Sequence, residues 1–241
     1  MRYGYYVIQM KSGEKMYKYE THLHTYPVSR CGHVGVEDNL RFYKEIGYDG
    51  VFITNHFLDG NVNLDGDVPY EEAINFYFSD YEKGVEIGKE IGLKVFLGVE
   101  LSLLGTDFLI YGLDKEWFLA HPEIMDMKKS EELRLMKDSG ALVIQAHPFR
   151  EEFYIDHIRL FPRDVHGVEV FNVGNDDMEN KIGKLYAEHY GLIPFAGSDN
   201  HLGKDNKRLA GVSCDEPVTS EQDFAEKVKS GRTGIFVIDN K

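Results

Sequence analysis

Two histidines separated by one residue could chelate a metal ion: His22 and His24 in the segment "YETHLHT". The segment has the character of a strand end, and alternate side chains of a strand point to the same face. Two imidazoles directed at one point can bind a cation, but the same spacing also suits a solvated strand face. The pair by itself leaves both interpretations open.

Further side chains of the ligand type follow other apolar segments. His56 follows "VFITN", Glu100 follows "VFLGV", His147 follows "LVIQA", and Asp199 and His201 follow "IPFAGS". Each one alone has an ordinary structural explanation, such as a hydrogen-bonded histidine or the first exposed residue of a loop. Burying so many imidazoles and carboxylates without a cation would leave several polar groups unpaired. Together they predict a metal site with His, Glu and Asp ligands and no thiolates.

This ligand set suits zinc, manganese or iron, with geometry choosing among them. Seven protein ligands exceed what one tetrahedral ion uses, so we expect two or three divalent ions that share a bridging carboxylate. Adjacent ions activate a bound water and clamp the oxygens of an in-line displacement at phosphorus. The sequence contains neither a Gly-x-Ser-x-Gly nucleophile motif nor a Gly-rich phosphate loop. Metal-activated water is therefore the predicted nucleophile.

The elements that must position these residues alternate between short apolar segments and helical patterns, which predicts a parallel sheet covered by helices. Most helical patterns end at a glycine, a helix C-terminal signal. Seven main strands predict an α/β fold, a compact and irregular (β/α) barrel, with a doubly wound open sheet as the alternative. In a barrel the carboxyl ends of the strands converge on the face that carries active sites. The predicted strands are "YKYETHLHT", "GYDGVFITNH", "GLKVFLGVEL", "DFLIYGL", "ALVIQAHP", "HGVEVFN" and "LIPFAGSDNH".

The composition is that of an ordinary globular protein, with 42% hydrophobic and 28% charged residues. We expect one domain over residues 1–241, in which residues 1–18 could add a peripheral hairpin around Ser12 and Gly13. No apolar run is long enough for a transmembrane helix, and the first residues lack the apolar stretch of a signal peptide. Cys31 and Cys214 form no zinc-ribbon or redox pattern, which favours a cytoplasmic location.

The net charge of −14 argues against stable nucleic-acid binding, which needs clustered lysine and arginine. No membrane association is expected either. A small anionic ligand is compatible with this charge if a metal ion or a local arginine supplies a positive field.

Five short motifs, taken in order, resemble the polymerase and histidinol phosphatase (PHP) family of metal-dependent phosphoesterases. They are "HLHT" (22–25), "ITNH" (53–56), "GVEL" (98–101), "AHP" (146–148) and "GSDNH" (197–201). The resemblance implies a distorted (β/α)7 TIM-like barrel, a site of two or three metal ions, and phosphoester hydrolysis. It assigns seven residues as metal ligands, with Glu100 as the bridge between ions: His22, His24, His56, Glu100, His147, Asp199 and His201.

The sequence departs from the family pattern at two places. Where many members carry a further His or Asp just after the first motif, this chain has Ser29, Arg30, Cys31 and, displaced, His33. Where many members carry a His in the fourth strand, it has Asp107, which can coordinate a hard cation. We therefore expect at least two ions, and the sequence leaves the third position open.

Three residues are candidate catalytic residues outside the ligand set: Arg30, Arg150 and Asn172. Either arginine could bind a substrate phosphate, because the guanidinium fork suits that geometry. Arg150 could equally be a loop arginine paired with a neighbouring glutamate. Asn172 ends the sixth predicted strand and could orient a ligand or cap the next helix. Arg208 could reach the site from the loop after His201.

These observations predict a cytoplasmic, PHP-type phosphatase that hydrolyses small phosphomonoesters by attack of metal-bound hydroxide. Substrates of the histidinol phosphate, nucleotide or sugar phosphate type would fit. One alternative is an amidohydrolase-like C–N hydrolase, although such barrels usually carry a bridging lysine where Glu100 stands. The other alternative is a non-catalytic metal-binding module. The sequence does not identify the physiological substrate, the metal or the oligomeric state.

Overall fold

The computed structural model describes residues 16–240, and the predicted hairpin around Ser12 and Gly13 lies outside them. Nine strands alternate with six α-helices in this part of the chain. The strands are β1 (Tyr17–Leu23), β2 (Gly50–Ile53), β3 (Lys94–Leu103), β4 (Thr106–Tyr111), β5 (Leu142–Gln145), β6 (Gly167–Asn172), β7 (Ile193–Gly197), β8 (Arg208–Cys214) and β9 (Thr233–Asp239). The helices are α1 (Val36–Glu45), α2 (Tyr70–Ile91), α3 (Lys115–Ala120), α4 (Lys129–Asp138), α5 (Asp177–Tyr190) and α6 (Glu221–Lys229).

One mixed sheet runs in the order β7-β6-β5-β4-β3-β2-β1-β8-β9. Strands β1 to β3 are parallel to one another, and so are β5 to β7. The sheet curls until β7 approaches β1, where the Thr21 hydroxyl donates to the Ala196 carbonyl at 2.6 Å. Just beyond, the Asn200 amide donates to the His22 carbonyl at 3.1 Å. These contacts make the sheet a nearly closed barrel.

The seven predicted strands correspond to β1 to β7, but the structure does not confirm a (β/α)7 count. Strand β4 is antiparallel to both of its neighbours because a two-residue turn joins it to β3. Leu104 and Gly105 form this turn with φ of 51° and 80°, the two positive values that a type I′ hairpin needs. Strand β8 and helix α3 were not predicted. The assignment of the whole chain to one domain stays a prediction.

A bulge in β1 directs His22, near the end of the strand, and His24, just after it, into the barrel. The register between β1 and β2 shifts between Glu20 and Leu23, which leaves two backbone N–H groups of β1 without a partner in the β-ladder. The Glu20 carboxylate accepts both, from Thr21 at 3.0 Å and from His22 at 2.9 Å. Tyr19 therefore packs in the barrel interior before the bulge, whereas His22 and His24 face the interior after it.

Aromatic side chains close the end of the barrel opposite these histidines. Phe52 stacks on Phe96 with ring centroids 4.9 Å apart and lies 4.3 Å from the ring of Phe224 in α6. Tyr111 and Phe195 complete this fully buried cluster. Because these aromatic side chains fill one end of the barrel, a polar site can lie only at the other end. Within the described residues, no helix is long and apolar enough to cross a membrane.

Candidate metal centre

Glu100 lies at the centre of a buried group of histidines. Its Oε1 lies 3.0 Å from His22 Nε2 and 3.6 Å from His147 Nε2. Its Oε2 lies 3.2 Å from His24 Nε2 and 2.8 Å from His56 Nδ1. Four imidazoles from the ends of β1, β2 and β5 therefore converge on one carboxylate.

The remaining predicted ligands join the same group. Asp199 Oδ1 lies 3.3 Å from His24 Nε2 and 3.5 Å from His201 Nδ1. Asp107 Oδ2 lies 3.6 Å from His147 Nε2. Asp107 reaches this face because β4 is antiparallel, so that the start of the strand, and not its end, meets the carboxyl ends of its neighbours. The structure thus brings all eight predicted ligands together, and their binding of metal ions is a proposal that we make below.

The group has the properties of a cation site. Five buried side-chain polar atoms lack a hydrogen-bond partner in the described part of the chain, and three of them are both carboxylate oxygens of Glu100 and Nδ1 of His56. A buried carboxylate is costly unless it is paired, and its nearest neighbours here are four imidazole nitrogens at 2.8 to 3.6 Å. Divalent cations fit this set of donors. Asp, Glu and His are ligands for zinc, manganese and iron.

Two hydrogen-bond networks fix the orientation of the first histidine pair. His22 Nδ1 lies 3.0 Å from Glu169 Oε1, which leaves Nε2 directed at Glu100. His24 Nδ1 lies 3.1 Å from the Ser29 hydroxyl, which in turn donates to Asn55 Oδ1 at 2.9 Å. Because the serine proton points to Asn55, the His24 Nδ1 must carry the proton of their contact. In its neutral form each ring therefore presents an unprotonated Nε2, the form that binds a metal.

Electrostatics favour the ligating forms of Glu100 and His24. Although burial lowers it, the carboxylates of Asp199, Glu169 and Glu100 raise the pKa of His22 well above its usual range, so a metal ion must displace a proton from this ring. Burial alone would raise the pKa of Glu100, but His56, His22 and His24 hold that pKa well below its usual range. Burial, together with the positive charges of His201 and His56, lowers the pKa of His24 to about 3. The carboxylate is therefore ionised and His24 is neutral at neutral pH.

Two candidate ligands have strained backbones. His147 has φ of 24° and Asp199 has φ of 50°, values that non-glycine residues rarely adopt. Such strain persists only where surrounding contacts impose it, and it concentrates at functional sites. The His147 amide is held by Glu169 Oε2 at 3.0 Å. Glu169 thus positions both His22 and His147.

Cys31 also lies against the group, although the sequence pattern predicted a site without thiolates. Its sulfur and one ring nitrogen from each of His24, His56 and His201 all lie within 4.8 Å of one another. Burial would raise the pKa of Cys31, but hydrogen bonds with His201 and His56 lower it to about 6. The prediction missed this residue because a loop, and not a strand end, delivers it.

The structure places two of the three candidate catalytic residues at the site and one away from it. Arg150 Nη2 lies 2.7 Å from Asp199 Oδ2 and donates to Asn172 Oδ1 at 2.8 Å, so both residues border the site. The Asn172 side chain also donates to Glu169 Oε2 at 2.7 Å. Arg30 is not brought to the site: its half-exposed guanidinium bonds Asp65 Oδ1 at 2.7 Å.

Two further residues lie at the edge of the site or away from it. Arg208 pairs with Asp239 at 3.4 Å at the start of β8. The exposed His33 contacts the site through its backbone amide, which donates to the His201 carbonyl at 3.0 Å.

The sequence analysis missed Glu169, which orients His22 and His147. Its signal was an acidic residue within the apolar segment "GVEVFN".

Comparisons with solved structures identify the fold. A two-domain protein from Bacteroides vulgatus, containing a predicted PHP-like metal-dependent phosphoesterase, matches 93% of this chain and 66% of its own with a TM-score of 0.65 and 17% identity. This chain therefore spans about two thirds of that protein. A proposed metal-dependent phosphoesterase from Bifidobacterium adolescentis matches 89% of this chain and 96% of its own, with a TM-score of 0.53 and 16% identity.

An amidohydrolase from Chromobacterium violaceum, solved with bound sulfate and no metal, matches 90% of this chain and 97% of its own, with a TM-score of 0.51 and 14% identity. No family model matches the sequence, and no curated protein is significantly similar to it. The chain therefore has the fold of PHP-like metal-dependent phosphoesterases, which confirms the resemblance inferred from the five motifs at the level of fold.

Proposed function

We propose that the protein is a metal-dependent hydrolase of small phosphomonoesters. The observation that carries the proposal is the buried Glu100 carboxylate, on which four imidazoles converge. Two or three ions of zinc, manganese or iron would be held by the following residues: His22, His24, His56, Glu100, Asp107, His147, Asp199 and His201. When bound, such ions activate water at neutral pH and neutralise charge that develops on phosphorus oxygens.

The residues of this chain contribute positioning and positive charge. Glu169 and Ser29 hold the rings of His22 and His24, so that both present Nε2 to the ions. Arg150 brings a fixed positive charge to the edge of the group. Its Nη2 and Nε are occupied by Asp199, Asn172 and Asn175, whereas Nη1 makes no hydrogen bond within residues 16–240. This nitrogen is available to a phosphate oxygen, which supports a phosphorylated substrate.

The test combines metal analysis with a substrate panel. The purified protein is analysed for bound metals and assayed on phosphomonoesters of the histidinol phosphate, nucleotide and sugar phosphate types, on phosphodiesters and on amides. A variant with His22→Asn and His24→Asn is assayed in parallel. We expect at least two equivalents of metal, phosphomonoesterase activity, and loss of both in the double variant.

The matched control replaces two histidines outside the group, His121→Asn and His189→Asn, and should keep metal and activity. Fewer than two equivalents of metal in the parent protein, or activity that survives in the His22 and His24 variant, would overturn the proposal. Full metal loading without turnover of any substrate would favour a non-catalytic metal-binding module.

The amidohydrolase neighbour supports a second candidate function, hydrolysis of C–N bonds on the same barrel. The chain has Glu100 where such barrels usually need a bridging lysine, and an arginine borders the site. Both features favour the phosphoesterase. Selective hydrolysis of amides in the panel would reverse this preference.

A further inference from the structure

Cys31 is brought to the site by a tightly folded loop between β1 and α1. The loop turns back on the end of β1: a Cβ atom at Gly32 would lie 2.9 Å from the carbonyl carbon of Thr25, so only glycine permits this approach. Beyond the turn, the His33 amide donates to the His201 carbonyl at 3.0 Å, which ties the loop to the segment after β7. The position of Cys31 is therefore built by backbone contacts on both sides.

The ligand atoms divide into sets that can each serve one ion. An imidazole nitrogen has one lone pair and binds one ion. His22 Nδ1 is bonded to Glu169 and His24 Nδ1 to Ser29, so each ring offers only Nε2. His22 and His24 form one compact set with Asp199, and Glu100 and His147 form the nucleus of a second. Three residues remain for a third set: Cys31, His56 and His201.

We propose that Cys31, as a thiolate, holds a third metal ion together with His56 and His201, and that the sulfur makes this position selective for Zn²⁺ over Mn²⁺ or Mg²⁺. Thiolates favour zinc, whereas manganese and magnesium prefer oxygen ligands. Binding forms a metal–sulfur bond and releases the thiol proton to solvent. The inference rests on the metal-binding part of the proposed function and is independent of the substrate.

The third position is partly exposed to solvent. The side chains of His56 and His201 are 14% and 26% exposed, whereas those of His22 and Glu100 are fully buried. Three protein ligands fill three positions of a tetrahedral zinc ion, and the fourth is left for water or substrate, as in zinc sites that take part in reactions. We therefore expect this ion to exchange faster than the other two.

The test uses cobalt as a probe, because Co²⁺ bound by a thiolate gives a charge-transfer absorption band in the near ultraviolet that nitrogen and oxygen ligands do not give. The metal-free chain of residues 1–241 is titrated with Co²⁺ and, separately, with Zn²⁺. The variants are Cys31→Ala, Cys31→Ser and Cys31→His. Cys214→Ala is the matched control, since the chain has only these two cysteines and Cys214 lies buried in β8.

We expect three equivalents of metal and the charge-transfer band in the parent chain and in Cys214→Ala. Cys31→Ala should lose the band and one equivalent. Cys31→Ser should lose the band and bind the third Zn²⁺ at least about 10-fold more weakly. Cys31→His should lose the band and keep the third equivalent, which shows that the variant folds and that the position needs a ligand.

A band that persists in all Cys31 variants, or a parent chain that binds three ions without the band, would overturn the inference. Two equivalents, no band and intact phosphomonoesterase activity would overturn the inference while the proposed function stands. A parent chain that binds no metal would overturn both.

Discussion

His22 Nδ1 lies 3.0 Å from Glu169 Oε1, and both side chains are fully buried. The second oxygen of this carboxylate accepts the backbone amide of His147 at 3.0 Å and the side-chain amide of Asn172 at 2.7 Å. One carboxylate therefore accepts three donors and orients two candidate ligands on different strands. Its role resembles that of the carboxylates that hold metal-binding histidines elsewhere.

Glu169→Gln should weaken metal binding while the fold is retained. Glutamine presents an NH₂ group in place of one oxygen, and that group cannot accept hydrogen bonds from the donors that face it. We expect metal affinity to fall about 10- to 100-fold and the free energy of unfolding to fall by about 1–3 kcal/mol. Chelator competition and urea unfolding measure the two effects. Glu226→Gln on the exposed face of α6 is the control, and an unchanged metal affinity in Glu169→Gln would contradict the assigned role.

Arg150→Lys should impair turnover more than metal loading. Lysine keeps the charge but cannot contact Asp199, Asn172 and a phosphate oxygen at the same time. The loss of one charge-assisted hydrogen bond is worth about 1.5–3 kcal/mol, or about 10- to 100-fold in kcat/KM. Steady-state kinetics on the best phosphomonoester measure this change. Arg134→Lys, at a surface pair with Asp164, should leave kcat/KM unchanged. Equal kinetics in Arg150→Lys would exclude a phosphate contact.

The sequence predicted the candidate site better than the sheet. Ligand-type residues after apolar segments are visible in one dimension, because a polar residue placed directly after an apolar strand, such as His56 or His147, makes a sharp change in polarity. The direction of β4 left a signal that the prediction did not use. Only five residues separate the predicted segments "GLKVFLGVEL" and "DFLIYGL", too few for the crossover that joins parallel strands. Leu104 and Gly105 supply the positive φ values of the tight turn between them.

The residues whose roles were not predicted share a physical cause: their contacts depend on how loops and distant segments of the chain fold against each other. Cys31 reaches the site because Gly32 lets a loop pack on Thr25, and nothing in the spacing of the residues predicts that approach. Arg30, its neighbour, points the other way to Asp65. Glu169 lies within an apolar strand, where an acidic residue is unusual and could have been noticed, but its partners are distant in the sequence.

Gly197→Ala should disturb the site through steric contact alone. A Cβ atom at this position in β7 would contact Glu169 Oε1 and would lie 2.5 Å from His22 Cβ, and both neighbours are fully buried. Overpacking of this kind costs about 1–3 kcal/mol. It would also push apart Glu169 and His22, whose hydrogen bond orients the His22 ring. We expect a lower urea midpoint together with weaker metal binding. Gly35→Ala, where the nearest atom lies 3.8 Å away, should change neither quantity appreciably.

His166 should make the metal-free protein sensitive to acid. Its Nδ1 accepts the Val143 amide at 3.1 Å, which requires an unprotonated nitrogen. Burial, with the charges of Lys137 and Lys229, lowers the pKa of His166 from 6.5 to about 4. The unfolded chain therefore binds this proton more readily than the folded one, so the stabilising contribution is complete above about pH 6.5 and is lost as pH falls towards 4.

His166→Asn tests this linkage, because the asparagine oxygen can accept the same amide and does not titrate. With a chelator present to remove metals, the variant should match the parent chain at pH 7.5. At pH 4.5 it should be more stable than the parent by about 1 kcal/mol, a value reduced from the full shift because the ring is partly exposed. His189→Asn, in the last turn of α5 and away from β5, should give no such gain. Urea unfolding at both pH values measures the free energy of unfolding. If the parent chain and His166→Asn lost the same stability between pH 7.5 and pH 4.5, the acid sensitivity would lie elsewhere in the chain.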